Sequence, residues 1–416
     1  MLSKRLLFVP ALLVMAILAA ACGGDDPTPT PTATARPSTS APTPTPIQKA
    51  AWEVEWDETV AAANAEGKVI VTVFRQPDGA AAKAFQSFFP EIEVEVQIIQ
   101  GRAFSARVPA EHAAGVFTFD VFLSGSTTGS TNLCPNGILG DTRSQLIRPD
   151  VIDDSNWLGG DFDDWWGDDT VRTCMSAPVA NFGGSSFRVN RNVAPDVTGI
   201  RDWIDPQWKG KICWEDPRSF GGGDIFGTNM MVFQGTDFLR QVLTEQDVII
   251  SRNLAQLAAD TVRGDCALSV GGTYTEFENE GLMGHVDRIN LALGDIPPEF
   301  ASQTKIICCG AGKNGTTIDG QLSSAVGGPA LIVGAPHPNA TKVFLNWWMT
   351  PEGQIAWGEA NNWSACSARA DLHFAAPCRD ADKSPEVEGS YISYNYASNA
   401  ALRRATNILT AEILGG

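Results

Sequence analysis

The segment Lys68–Phe74, KVIVTVF, constrains the fold of this chain more than any other. It is a nearly unbroken β-branched run without polar alternation, the pattern of a strand buried on both faces. Such a strand needs helices above and below it, and the flanking sequence supplies them. Trp56–Glu66 reads as a helix closed by Gly67, and Ala80–Phe89 as a second helix stopped at Pro90. Arg75-Gln76-Pro77-Asp78-Gly79 between them is a turn. Ile92, Val94, Val96 and Ile98 then alternate with Glu91, Glu93, Glu95 and Gln97, which predicts a strand with one wet face, nearer an edge. A helix closing over Glu111–Gly115 and a third strand at Phe119–Leu123 continue the alternation. The expected class is α/β, with a mainly parallel sheet flanked by helices.

The middle of the chain repeats this grammar. Lys211–Trp214 is a short strand, followed by the glycine-rich loop Asp216–Gly223. Helices are expected at Asp224–Phe233, Thr236–Leu243 and Asn253–Arg263, the last closed by Gly264, then a strand at Cys266–Val270. Ala330–Val333 is an apolar strand that returns the chain to the first sheet. Asn339 is placed to cap a helix over Ala340–Met349, in which Val343/Trp347 and Phe344/Trp348 are i,i+4 pairs. Thr350 then caps a second helix with Pro351 at its first position. At that spacing Trp347 and Trp348 read as core packing rather than a ligand platform.

From Ala50 onward about 365 residues remain, more than the ~250–300 at which a single core stops growing, so two lobes are expected. The formal charge of −18 disfavours nucleic acid as a partner. Paired acids Asp163/Asp164 and Asp168/Asp169 flank Trp165-Trp166-Gly167; the reading is a solvated acidic loop, with sugar chemistry as the alternative. No GxSxG, HExxH or CxxC motif points to an enzyme, and no His/Cys cluster points to zinc.

The N-terminus carries Lys4 and Arg5, the apolar run Leu6–Ala21, then Cys22 and a Pro/Thr/Ser-rich stretch to Pro46. The apolar run falls short of the ~20 residues that span a membrane and reads as an export signal, residues 1–21. With Cys22 directly after small residues, it resembles a bacterial lipoprotein signal, which implies lipidation of Cys22. Residues 22–50 then form a polyproline-like tether that holds the body off the membrane. Setting Cys22 aside leaves eight cysteines, an even number that in an exported chain reads as disulfides. Two pairings are favoured: Cys366 with Cys378 across a short loop, and Cys213 with Cys266 on neighbouring strands.

Several segments together carry a further resemblance. They are Trp208-Lys209-Gly210-Lys211-Ile212, Asp216-Pro217-Arg218, Arg263-Gly264-Asp265, Ala335-Pro336-His337-Pro338-Asn339-Ala340, Phe344-Leu345-Asn346-Trp347 and Pro351-Glu352-Gly353-Gln354. In order and spacing the chain resembles extracellular solute-binding proteins of ABC importers, in the branch similar to ferric-iron-binding proteins. The resemblance implies a two-lobed type II periplasmic-binding-protein fold with a ligand cleft between lobes. It implies one lobe from 52–187 plus 326–416 and another from 188–325. It also implies a monomeric receptor without enzymatic activity or cofactor, on the outer face of the cell membrane, whose partners are a small-molecule ligand and the ABC permease.

Parallel sheets bind ligands outside the carboxyl ends of their strands. The candidate residues are therefore Arg75 and Gln76 after the first strand, and Ser124, Gly125, Ser126 and Thr127 after the third. Arg218 and Gly221, Gly222 and Gly223 follow the 211–214 strand; Thr273 and Tyr274 follow the 266–270 strand; Arg102 is a further candidate. Hydroxyls, bare amides and arginines suit a small anion such as a phosphonate, phosphate ester or carboxylate. Glycines that only permit a turn, and hydroxyls that only cap one, are the competing readings. Ferric iron is the alternative ligand. Tyr274 stands where the iron-binding relatives have the first of two adjacent tyrosines, and Thr275 replaces the second. An anchored hydrolase and a sensor without a transporter are the alternatives of other classes.

Overall fold

Helices and strands alternate in two separate α/β layers, each built around its own sheet. The computed structural model describes residues 49–73, 80–99, 101–180, 186–219, 221–271, 277, 284–291, 294–301, 303–304, 306–307, 320–321, 327–361, 366–372 and 390–415. The strands are β1 (Lys68–Val73), β2 (Glu93–Ile98), β3 (Val121–Leu123), β4 (Val179–Ala180), β5 (Ser186–Asn190), β6 (Ile212–Glu215), β7 (Ile249–Ser251), β8 (Leu268–Val270), β9 (Val286–Asn290), β10 (Ile306–Ile307), β11 (Gly320–Gln321), β12 (Ala330–Leu331), β13 (Cys366–Ser367) and β14 (Tyr391–Ile392). Among the described residues no helix is long and apolar enough to cross a membrane.

The first sheet has the order β12-β3-β1-β2. β1 pairs in parallel with both β2 and β3, and β12 returns antiparallel to β3. Val69, Val71 and Val73 pack into one core and Ile70 against another, so the β-branched run is covered on both sides. β2 is the edge strand; its Val94 is buried and its Ile98 half exposed. The second sheet has the order β7-β6-β8-β5-β9. β6 runs parallel to β7 and β8, while β5 is antiparallel to β8 and β9.

Each sheet has its own aromatic core. In the first, Phe85, Phe344, Trp347 and Trp357 meet with ring centroids 5.0–6.4 Å apart. In the second, Phe187, Trp203, Trp214 and Phe226 do the same at 5.2–6.2 Å. Offset and edge-on pairs at these separations add to the area they bury. Trp347 and Trp348 are core residues.

Of the two expected caps, one changes and one holds. Asn339 does not cap the helix it precedes. That helix spans Pro338–Met349, and Glu66 caps it from another helix. Its carboxylate accepts the Asn339 and Ala340 amides at 3.1 and 2.7 Å and the Asn339 side chain at 2.7 Å. A carboxylate placed there meets both the orphan N–H groups and the positive end of the helix dipole. Thr350 caps the Pro351–Ala360 helix, accepting from the Gly353 amide at 3.1 Å.

The C-terminal segment also differs from expectation. Residues 326–416 were expected wholly with the first lobe, but the Ala400–Leu414 helix packs on the Gly222–Gln234 helix. Its Leu402 and Leu409, with Ile392 and Tyr394, belong to the second core. Between them, 393–399 is fastened to the first lobe. Tyr396 donates to the Asp164 carbonyl at 2.9 Å, the Ala397 amide to the Gly167 carbonyl at 2.9 Å, and the Ser398 amide to Asp169 at 3.0 Å. Long-range packing of an amphipathic helix outweighed sequence neighbourhood here.

Candidate functional site

The order of strands in each sheet marks one place where connections diverge. In the first, the chain goes from β1 outward to β2 and then back past β1 to β3, so the direction reverses between β1 and β3. In the second, β6 leads to β7 on one side and β8 returns on the other, so the reversal lies between β6 and β8. At such switch points the loops fold away to opposite faces and leave a crevice at the carboxyl edge. The β1/β3 point carries Ser124–Thr127; the β6/β8 point carries Glu215–Gly223 and Gly271.

Arg403, 2% exposed, ties the two points together from the C-terminal helix. Its guanidinium forms a two-pronged ion pair with the fully buried Asp224, through Nε to Oδ2 and through Nη2 to Oδ1 at 2.8 Å. Nη1 donates to Thr127 Oγ1 at 3.0 Å and to Asn395 Oδ1 at 3.1 Å. Thr127 donates to the same Asn395 oxygen at 2.7 Å. Asp224 also accepts the Gly221 amide at 2.7 Å, which sets the start of the Gly222–Gln234 helix. One guanidinium thus joins the turn after β3 to the first turn of the helix after β6.

The residues expected at this edge divide into three groups. Ser124, Ser126 and Thr127 lie at the β1/β3 point, where Ser124 and Ser126 are buried and Ser126 gives its carbonyl to Ser130 at 2.8 Å. Arg218, Gly222 and Gly223 lie at the β6/β8 point but have other work. Arg218 grips Asp216 at 2.8 and 3.0 Å and the Gly415 carbonyl at 2.6 Å. Arg252 adds a contact to Asp216 at 2.7 Å. Burial opposes ionisation of Asp216, but hydrogen bonds from Arg218 and Arg252 outweigh it and hold its carboxyl at about 2. Arg218 is therefore a structural cation, not a free anion ligand.

The glycines make room for Glu215. A Cβ on Gly221 would collide with the Glu215 carboxylate, and one on Gly223 with the Glu215 carbonyl. At Gly222 and Gly271 a Cβ would sit 2.8 Å from Glu215 Oε2. The run permits a close approach to the end of β6 rather than an open amide cradle. Arg102 is the second residue of the Gly101–Ala113 helix, not of a loop. Arg75, Gln76, Thr273, Tyr274, Thr275, Cys22 and Cys378 lie outside the described residues.

Sequence reasoning missed Glu215, Asp224, Asn395 and Arg403. Glu215 left a signal, a charged residue ending an apolar strand before a glycine run. Arg403 left none, because Asp224 and Thr127, which it joins, are 179 and 276 residues away.

Three of the four acids in the acidic run are buried rather than solvated. Asp164, Asp168 and Asp169 are buried. Asp168 accepts the Thr173, Cys174 and Met175 amides, each at 3.0 Å. Asp163 lies between Arg143 at 2.5 Å and Arg172 at 2.7 Å. Cys134, Asp168 and Cys174 bring three potential metal-ligand atoms together. The two sulfurs are joined in a disulfide, and Asp168 is held by those amides, so the donor set does not suit a metal. Cys213 and Cys266 form a second disulfide with Cα atoms 5.7 Å apart. Cys366 is disulfide-bonded as well.

The histidines sit elsewhere. His337 pairs through Nδ1 with buried Asp120 at 2.8 Å, just before β3, and His285 precedes β9 with its ring 3.0 Å from the Val262 carbonyl. Both are at the amino edges of their sheets. Burial lowers the pKa of His112, on the Gly101–Ala113 helix.

No family model matches the chain, and no curated protein sequence matches it. Solved structures do. Iron-bound HitA from Pseudomonas aeruginosa aligns at 15% identity and TM-score 0.51, covering 82% of this chain and 99% of that one. The Trichodesmium IdiA (FutA) protein, solved with iron and citrate, aligns at 13% identity and TM-score 0.56, covering 83% and 99%. The periplasmic binding protein AfuA from Actinobacillus pleuropneumoniae, solved with fructose-6-phosphate, aligns at 17% identity and TM-score 0.51, covering 84% and 100%. The fold is the two-sheet α/β fold of type II periplasmic binding proteins.

Proposed function

We propose that this protein is a solute-binding receptor, anchored outside the cell membrane through lipidated Cys22, that delivers a small ligand to an ABC import permease. The observation that carries the reading is the bridge between two switch points. Arg403 joins the turn after β3 in one α/β layer to the first turn of the helix after β6 in the other. A site assembled from two lobes closes when ligand stabilises the closed form, by differential affinity for the two states. Such a receptor needs no chemistry of its own and works as a monomer.

The proposed lobes follow the cores. The first comprises 52–185 with 327–372, and the second 186–325 with the C-terminal helix. The expected anionic ligand now rests on Arg75, Gln76, Arg102, Thr273 and Tyr274, because Arg218 is committed to Asp216. Ferric iron is a second reading, favoured by the iron-bound structural neighbours HitA and IdiA.

A thermal-shift panel of phosphonates, phosphate esters, carboxylates, sugars, polyamines and ferric salts tests the reading. A true ligand at 100 times its Kd stabilises the fold by about 2.7 kcal/mol. Turnover of the hit, or no shift across the panel, refutes the receptor reading. Mass spectrometry of membrane fractions checks the anchor, and Cys22→Ser is expected to release the protein.

A further inference from the structure

Resting on the receptor reading, we infer that Arg288 and Ser186 form an anion subsite on the second lobe, for a phosphate, phosphonate or carboxylate group. The two residues lie on neighbouring strands, β9 and β5, which pair antiparallel in the register Ser186↔Asn290 and Arg188↔Arg288. β5 also pairs with β8 through Arg188↔Ser269, so Ser186 stands level with Gly271, just past the last residue of β8. That row is the carboxyl edge of β6 and β8, the edge at which sheets of this kind take ligands. Ser186 is the first residue of β5, where the chain enters the second sheet.

The Arg288 guanidinium is drawn toward this edge. Its Nε donates to Ser186 Oγ at 2.6 Å, two positions along β5 from the residue that Arg288 opposes. Among the described residues it forms no ion pair. The adjacent Asp287 does not neutralise it: alternate residues of a strand face opposite sides, and Asp287 is taken by Arg191 at 2.6 Å. Other arginines of this lobe are committed in the same way, Arg218 and Arg252 to Asp216 and Arg403 to Asp224. Nη1 and Nη2 of Arg288 are left as donors in the fork that matches a carboxylate or phosphate. The Ser186 hydroxyl accepts from Nε and so has its own proton to give to the same anion. The anion expected from sequence on Arg218 thus has its place on an arginine of another strand.

The test is a calorimetric titration of inorganic phosphate into the whole chain and its variants at low ionic strength. Arg288→Gln removes the charge, and Arg288→Lys keeps it without the fork. Arg201→Gln removes the same charge elsewhere, from an exposed arginine that lies over the Phe238 ring. Circular dichroism confirms that each is folded, and the lysine variant decides the matter if the glutamine variant is not. The wild type is expected to bind phosphate saturably, Arg288→Gln about tenfold more weakly or worse, Arg288→Lys about threefold more weakly, and Arg201→Gln like the wild type. No saturable binding to the wild type, a smaller loss at Arg288, or an equal loss at Arg201 overturns the inference. The wild-type ligand panel judges the receptor reading separately. A panel hit without a phosphate loss in Arg288→Gln sinks only the role of Arg288, and a phosphate loss without a hit sinks only the receptor.

Discussion

Replacing Arg403 with methionine is the sharpest test of the bridge between the two switch points. The guanidinium is 2% exposed and its partner Asp224 fully buried. Arg403→Met removes both prongs of that ion pair and the donors to Thr127 and Asn395. Asp224 is left as a buried carboxylate without the cation that offsets its desolvation. Deleting one partner of a buried pair costs about 3–5 kcal/mol, because the surviving charge stays desolvated. Removing both is far milder. The Arg403→Met/Asp224→Asn double variant is therefore expected to recover at least half of the loss, since asparagine keeps an oxygen for the Gly221 amide. Urea unfolding of the wild type, both single variants and the double variant, followed by tryptophan fluorescence, measures the cycle. A cost below about 1 kcal/mol for Arg403→Met, or a double variant no more stable than it, refutes the argument that buried charge pairing holds this junction.

Three further outcomes follow from the same contacts. The Asp216 carboxyl is lowered from 3.8 to about 2, so its contribution is present above pH 3.8 and is lost as pH falls toward 2. That is worth about 2 kcal/mol at neutral pH, and urea unfolding from pH 7 to pH 2 should show Asp216→Asn losing this part of the acid dependence. Gly223→Ala forces a Cβ onto the Glu215 carbonyl, whereas Gly284→Ala meets nothing within 4 Å. The first should cost about 2 kcal/mol or more and the second under ~1 kcal/mol; equal midpoints in thermal unfolding would count against the close-approach reading. Glu66→Ala removes the acceptor of three hydrogen bonds at the start of the Pro338–Met349 helix. A loss of about 1–2 kcal/mol is expected by chemical denaturation, against little change for Asn339→Ser if Glu66 is the cap.

The α/β class, the β1 run buried on both faces and the Trp347/Trp348 core were legible in the residues themselves. Periodicity of 2 or 3.6, a closing glycine and a capping threonine are properties of neighbours in sequence, and local sterics and hydrogen bonding act on neighbours. For the same reason the loops at the carboxyl edges were legible as the place to look, and Ser124–Thr127 and Gly221–Gly223 lie there. What those loops do was not legible. Arg218 reads as an anion ligand until Asp216 is seen to hold it, and the glycine run reads as a cradle until Glu215 is seen beside it. The buried acids Asp168 and Asp169 read as solvated until their amide and hydroxyl partners are known. The C-terminal helix joined the second core because burying Leu402 and Leu409 there decides its place, and hydrophobic burial takes no account of sequence distance. Sequence by itself determined the main strands and helices and which sheet edge is the candidate for a ligand site. The pairing of charges across that edge, and with it the electrostatic character of the site, was decided only by tertiary structure, because the partners meet across 179 and 276 residues of chain.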